Sequence, residues 1–241
     1  MTSTEPPPGG NAATVVPGRP RRRDAPSLRV ERRLLRDGVR RLGSMDEVGR
    51  GAPAGPVYVG VVVIDATVSR PLAGVRDSKL LTPAVRESLV PAVHRWAVDW
   101  AVGDAGAAEV DRHGLTGALR LAGHRALAGL VAPPDLVLLD GGHDWLTPPE
   151  GTGGPDAAAG ARPAVTVVTR VRADLTCASV AAASVLAKVA RDSVMVELAR
   201  SFPGYGWEEN KGYGTPTHLD ALRRLGPTPH HRVTWRLPAV T

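Results

Sequence analysis

Apolar positions along the chain fall into short runs separated by joints rich in glycine and proline. Leu42 to Val48 reads as a first strand, and Pro56 to Asp65 as a second. In the second, Val57, Val59, Val61, Val62, Val63 and Ile64 are nearly continuous, the pattern of a strand covered on both faces. The joint between them, Gly49 to Pro56, is short, which predicts an antiparallel hairpin. Thr82-Pro83 predicts a helix start, with threonine as N-cap and proline in the first turn, running toward Trp96 with a proline at 91. Trp96 to Val102 reads as a third strand. Ala107 to Val131 reads as a helix with Leu115, Leu119, Leu121 and Leu127 on its buried side. Leu136-Val137-Leu138-Leu139 is a fourth strand that stops at Asp140-Gly141-Gly142, and Val165 to Val171 a fifth. Thr176 to Arg200 predicts a long helix whose small residues, Ala181-Ala182-Ala183-Ser184, suit close packing on a sheet. Thr215-Pro216 starts a last helix and Gly226-Pro227 stops it. Ahead of the first strand, Ser27 to Arg41 reads as a short helix with Leu28, Leu34 and Leu35 on one side and arginines opposite.

Composition narrows the class. The chain has 241 residues, 43% hydrophobic and 22% charged, enough for one substantial domain. Residues 1–26, with Pro6-Pro7-Pro8-Gly9-Gly10 and four arginines, read as a disordered basic tail, and 27–241 as the folded part. The tail lacks the apolar stretch of a secretory signal, and no run approaches the roughly 20 apolar residues that span a bilayer. Cys177 is the only cysteine, so no intrachain disulfide forms, which fits a cytoplasmic protein. The net charge of +6 favours polyanionic partners. Aromatic residues are only 4%, too few for a broad base-stacking platform.

The candidate chemistry lies in acids at strand ends and helix starts: Asp46 with Glu47, Asp140, and Asp174. A strand that only had to bury itself would not carry paired carboxylates at its end. If the four converge, they repel: two unit charges about 4 Å apart cost roughly 4 kcal/mol at an effective dielectric near 20. A pair of divalent cations removes that penalty, and a set of hard oxygen ligands without a His/Cys cluster selects Mg2+ or Mn2+. Such pairs promote in-line phosphoryl displacement. Adjacent strand residues point to opposite faces, so Asp46 and Glu47 share a site only at a bend, which Gly49 permits. The Gly49-Arg50-Gly51 turn suits a phosphodiester. Each acid also has a plainer reading: Asp140 as a turn former, Asp174 as a helix N-cap. Asp192 pairs with Lys188 four residues back, with Ser184 one further turn along the same face. The adjacent His230 and His231 could suggest a metal pair, but without further ligands they read as structural or surface residues.

Five segments, in order, resemble the type 2 ribonucleases H. They are Asp46-Glu47-Val48-Gly49-Arg50-Gly51 with Ala54-Gly55-Pro56-Val57; Asp77-Ser78-Lys79-Leu80; Leu139-Asp140-Gly141; Ala173-Asp174 followed by Ser179 through Asp192; and Phe202-Pro203 through Lys211-Gly212-Tyr213-Gly214-Thr215 to His218, with His230-His231-Arg232. The resemblance implies an α/β, ribonuclease H-like fold: a mixed five-stranded sheet flanked by helices, with a helical C-terminal part. It implies endonucleolytic cleavage of the RNA strand of RNA–DNA hybrids and incision 5′ of single ribonucleotides embedded in duplex DNA. By motif match, Asp46, Glu47, Asp140 and Asp174 are the metal-binding catalytic acids. Gly49, Arg50 and Gly51 resemble the turn that senses the ribose 2′-hydroxyl, Ser78 and Lys79 phosphate contacts, and Tyr213 the ring that packs on the sugar beside the junction. A monomer without membrane attachment is expected. Gly114 stands where the family pattern has asparagine, which leaves the capping of that helix open. Two other readings remain: a DNA-only nuclease of the same fold, and a non-catalytic basic nucleic-acid binder.

Overall fold

The computed structural model describes residues 25–148 and 165–238; the expected tail lies almost wholly outside them, as does Thr147 to Arg162, a stretch whose Gly, Pro and Ala read as a surface loop. Five strands, β1 (Leu42–Val48), β2 (Val57–Ile64), β3 (Asp99–Ala105), β4 (Leu136–Asp140) and β5 (Thr166–Arg170), form one sheet in the order β3-β2-β1-β4-β5. The first three are antiparallel, while β4 and β5 run parallel to β1. This is the expected mixed sheet, hairpin included.

Two apolar layers explain the unbroken valine run of β2. Val57, Val59, Val61 and Val63 face the helix α3 (Ala107–Ala128) together with Met45, Leu119 and Ala122. Val62 and Ile64 face the opposite layer, with Leu42, Leu138 and the alanines of α5 (Ala178–Ser201). Each fully buried valine contributes about 1.5–3 kcal/mol. The small residues of α5 do what their pattern predicted. A Cβ on Gly60 of β2 would lie 2.3 Å from the Ala183 carbonyl oxygen, so helix and strand touch backbone to backbone.

The short helix α1 (Arg29–Arg36) docks on the start of α5 through one buried acid. The N-cap of α5, Cys177, supplies no side-chain acceptor. Glu31 supplies it instead, accepting from the Ser179 amide at 3.1 Å and the Ser179 hydroxyl at 2.9 Å. Ser179 in turn lies 2.7 Å from the Ser44 hydroxyl of β1.

Thr82 caps α2 (Pro83–Trp96) and Thr215 caps α7 (Pro216–Leu225), each accepting an amide three residues on, as expected. The third strand starts three residues later than its pattern suggested. Trp96 closes α2, its indole donating to the Arg70 carbonyl at 2.8 Å. The buried positions of β3 are Ala101, Gly103 and Ala105, too small to register as a strand. Gly114 interrupts α3 with φ 68° and ψ 168°, while the cap ahead of it stays intact: Glu109 accepts the Gly106 amide at 2.8 Å. Two short helices escaped the pattern, α4 (Ala173–Thr176) and α6 (Trp207–Asn210). With α7, α6 builds a helical C-terminal part around Met195, Tyr205, Trp207, Ala221 and Leu222.

Candidate active site

The carboxylates meet where β1 and β4 end. Parallel register pairs Met45 with Leu139, so Asp46 and Asp140 follow side by side on strands about 4.8 Å apart. Asp140 then reaches the start of α4: its carboxylate accepts the Ala173 amide at 2.6 Å and the Asp174 amide at 3.3 Å. It thus satisfies free N–H groups of the helix that carries Asp174. Asp174 lies in the first turn of α4, after Arg172 in the left-handed conformation, and is not the cap of α5. Glu47, the last but one residue of β1, pairs one oxygen with Arg50 at 3.1 Å. Its other oxygen is buried without a hydrogen-bond partner.

Electrostatics shows that these groups share one field. Burial, then Glu47, with Asp140 and Asp174, pushes the Asp46 carboxyl well above the usual range, against a hydrogen bond from Ser184. Burial raises Glu47, with Arg50 opposing. Burial raises Asp174 too, followed by repulsion from Asp140 and Asp77, with Lys79 opposing. Burial pulls Lys79 down, but Asp77, Asp46, Asp174 and Asp140 together more than offset it, and its ammonium is held more firmly. Lys79 stands 3.9 Å from Asp174, its side chain otherwise exposed.

Among the described residues, no three His, Cys, Asp or Glu side chains are drawn into a ready-made metal cage. Bare carboxylates gain nothing by closing on one another. The donor set nonetheless fits hard divalent cations: four carboxylates, an orphaned Glu47 oxygen, and protonation favoured where positive charge is missing.

Beside the acids, the chain turns sharply at Gly49, with φ +84°. A Cβ there would fall 2.2 Å from Arg191 Nε and 2.7 Å from the Pro56 carbonyl oxygen, so only glycine fits. Two buried arginines hold the turn. Arg191 donates to the carbonyls of Pro56 at 2.9 Å, Ala54 at 3.1 Å and Lys211 at 2.8 Å. Arg232 donates to Gly49 at 2.7 Å, Arg50 at 3.1 Å and Gly55 at 3.0 Å. With its base clamped, the turn presents Arg50 and Gly51 to solvent.

Tyr213 is joined to this turn. The Arg191 guanidinium lies 5.1 Å from its ring centre and the Lys188 ammonium 5.7 Å. The ring is half-buried. Ser78 is buried with its hydroxyl 2.8 Å from that of Ser184, the residue that also contacts Asp46. Arg86 fixes the Ser78–Leu80 turn by donating to the carbonyls of Ser78 at 2.9 Å and Leu81 at 2.8 Å. It also meets Asp192 at 3.4 Å, which Lys188 pairs as its spacing predicted. The sequence reading missed Arg86, Arg191 and Arg232. An arginine that binds backbone carbonyls is indistinguishable in sequence from one that is solvated; Arg191 and Arg232 gave a signal only by lying inside matched segments.

His231 is buried beneath this layer. Thr228 N–H donates to its Nδ1 at 2.8 Å, so its Nε2 carries the proton and donates to His218 Nε2 at 3.1 Å. Trp207 donates to the same His218 nitrogen at 3.1 Å, and His218 Nδ1 donates to the Tyr213 carbonyl at 2.9 Å. His231 is thus held inside the fold by hydrogen bonds, the structural member of the adjacent pair.

A mixed five-stranded sheet with acids gathered where β1 and β4 end defines a nuclease of the ribonuclease H type. Residues 42–237 match the family model described as Ribonuclease HII. The chain is 43% identical to the Ribonuclease HII of Streptomyces coelicolor over 213 residues, 88% of this chain and 84% of that one. The crystal structure of ribonuclease H2 from Pyrococcus horikoshii OT3 superposes with a TM-score of 0.61 at 28% identity, covering 81% of this chain and 94% of that one. Bst-RNase HIII, solved in complex with Mn2+, shares the fold with a TM-score of 0.56 at 20% identity, over 82% of this chain and 67% of that one. The chain belongs to the ribonuclease HII family, endonucleases that cleave the RNA of RNA–DNA hybrids. Among the described residues no helix is long and apolar enough to cross a membrane.

Proposed function

We propose that the chain incises duplex DNA on the 5′ side of single embedded ribonucleotides, besides cutting longer hybrids, leaving 3′-hydroxyl and 5′-phosphate ends. The observation that carries this reading is the shared field of Asp46, Glu47, Asp140 and Asp174, with a Glu47 oxygen buried and unpartnered. These four would hold two Mg2+ or Mn2+ ions, which when bound would activate the attacking water and neutralise charge on the leaving oxygen. Asp140 and the helix start it holds set the spacing of the acids. Lys79, 3.9 Å from Asp174, steadies the phosphate together with the neighbouring Ser78. The clamped Gly49-Arg50-Gly51 turn offers backbone groups to the 2′-hydroxyl, the one mark that separates ribose from deoxyribose. Tyr213 packs on the next sugar, where a further hydroxyl would be crowded. Residues 27–241 form the catalytic domain, which acts as a cytoplasmic monomer.

The test uses duplex DNA with and without one embedded ribonucleotide, plus Mg2+ or Mn2+, and the same reactions with chelator. Cutting only of the ribonucleotide-bearing strand, 5′ of the mark and abolished by chelator, is expected. Equal cutting of all-DNA duplex would favour a DNA nuclease, and chelator-insensitive binding without cleavage a non-catalytic binder.

A further inference from the structure

A line of arginines leads away from the acids. Arg170 of β5 is the register partner of Asp140, and its Nε donates to the Thr176 hydroxyl at 3.3 Å. The Thr176 carbonyl accepts the Ser27 amide at 3.0 Å, and two residues later α1 begins at Arg29. Helix α1 carries Arg29, Arg32, Arg33 and Arg36, all exposed. Its one acid, Glu31, is turned inward and fully buried as the cap of α5, so the outward side of the helix carries no carboxylate. Asp37, just past its end, is exposed. Arg172, on the turn after β5, is exposed as well. Among the described residues none of these six arginines has a carboxylate within ion-pair distance. Clefts on both sides of α1 are lined by Arg32 and Arg36, against Pro71 on one side and Val68 and Ser69 on the other. The Arg32 guanidinium donates to the Ser69 carbonyl across that gap.

Concentrated positive charge on a firmly docked helix calls for a polyanion whose charges repeat at fixed spacing. An eight-residue helix is about 12 Å long. That length faces three or four phosphates of one strand, at about 3.4 Å of rise each. Because the line begins beside Asp140, a duplex held at the acids has an arm within its reach. Resting on nucleic acid being the substrate, and not on where the strand is cut, we infer that the arginine track from Arg170 through α1 binds the phosphate backbone of the duplex arm flanking the cleavage position. The track lengthens the footprint without reading bases: phosphate contacts set register and affinity, and carry no sequence information.

The experiment compares two RNA–DNA hybrids, one bare and one extended by a duplex DNA arm, on each side in turn. Binding is followed by fluorescence anisotropy in chelator over a range of salt concentrations. With the native chain, the arm on one side tightens binding and steepens the slope of log affinity against log salt by about 3, near 0.9 per phosphate neutralised. In the variant carrying R29Q, R33Q and R36Q, that gain disappears while the bare hybrid binds as before, which also reports that the variant is folded. Should the triple variant unfold, R33Q alone is expected to lower the arm's slope by about 1. An arm that adds nothing to native binding, or a gain that survives the substitutions, would overturn the inference. So would a variant that loses affinity for vesicles of acidic phospholipid while keeping the arm's gain. Failure to cut at a ribonucleotide would leave this binding result standing, so the two readings fail separately.

Discussion

Asp46 bears the sharpest conflict in the fold. It is buried, with three other acids acting on it, and Ser184, its neighbour's amide and the Lys79 ammonium offset part of that repulsion. A group so placed destabilises the protein unless cations or a proton reach it. Asp46→Asn keeps the acceptor for the Glu47 amide and removes one negative charge. It is expected to reduce turnover to background while largely sparing hybrid binding. It is also expected to raise the melting temperature in chelator, by about 2–4 °C for each kcal/mol of repulsion removed. Near-normal turnover in the purified variant would refute the assignment of Asp46 to the site. Tyr213 presents the opposite case, a ring with two cations over it. Tyr213→Ala is expected to harm incision at a lone ribonucleotide more than cleavage of a long hybrid, measured as kcat/KM on each. Equal losses would remove its role at the junction.

The hairpin between β1 and β2 shows what a pattern of residue types conveys and where it stops. Glycines, prolines and flanking valines were enough to place the turn, both strands and their antiparallel pairing. The caps at Thr82 and Thr215 were legible for the same reason, since a cap is a local interaction. β3 was displaced because its buried side is built from alanine and glycine, and α4 and α6 are single turns held by tertiary contacts. What holds the hairpin turn comes from Arg232, far along the chain, whose fork spans three carbonyls. Arg232→Met leaves the Arg50 and Gly55 carbonyls without a donor and Gly49 with the Ala52 amide alone, at about 1–3 kcal/mol for each buried group that loses its partner. Arg232→Lys is expected to recover little, because a point charge cannot bridge three acceptors. Thermal melts should place both variants several degrees below the parent, with ribonucleotide incision falling further than the melt explains. A lysine variant that matched the parent in both would show that charge alone suffices.

The four acids were recognisable as a set because they lie inside matched segments, yet their convergence rests on packing that no segment contains. Asp140 meets Asp174 through the start of α4, and Tyr213 meets the glycine turn through Arg191. The C-terminal part therefore supports the site from beneath, and His231 and His218 are its keystones. Burial pushes His231 down to about 4 and lowers His218 as well. In the unfolded chain each returns to an ordinary value near 6.5. The folded state thus refuses a proton that the unfolded state accepts. Its stability is complete above about pH 6.5 and declines as pH falls from there toward about 4. For His231 alone the loss reaches about 2 kcal/mol at pH 5. Burial raises the acids Glu31, Asp46, Glu47 and Asp174, which act in the opposite sense at lower pH, so the histidine contribution is isolated by difference. His231→Gln keeps an N–H for His218 and cannot titrate. Denaturant unfolding of both proteins in chelator should show the parent losing about 2 kcal/mol more than the variant between pH 7.5 and pH 5. Parallel losses in the two would mean that His231 takes up its proton without leaving its place, and that the layer under Tyr213 tolerates charge.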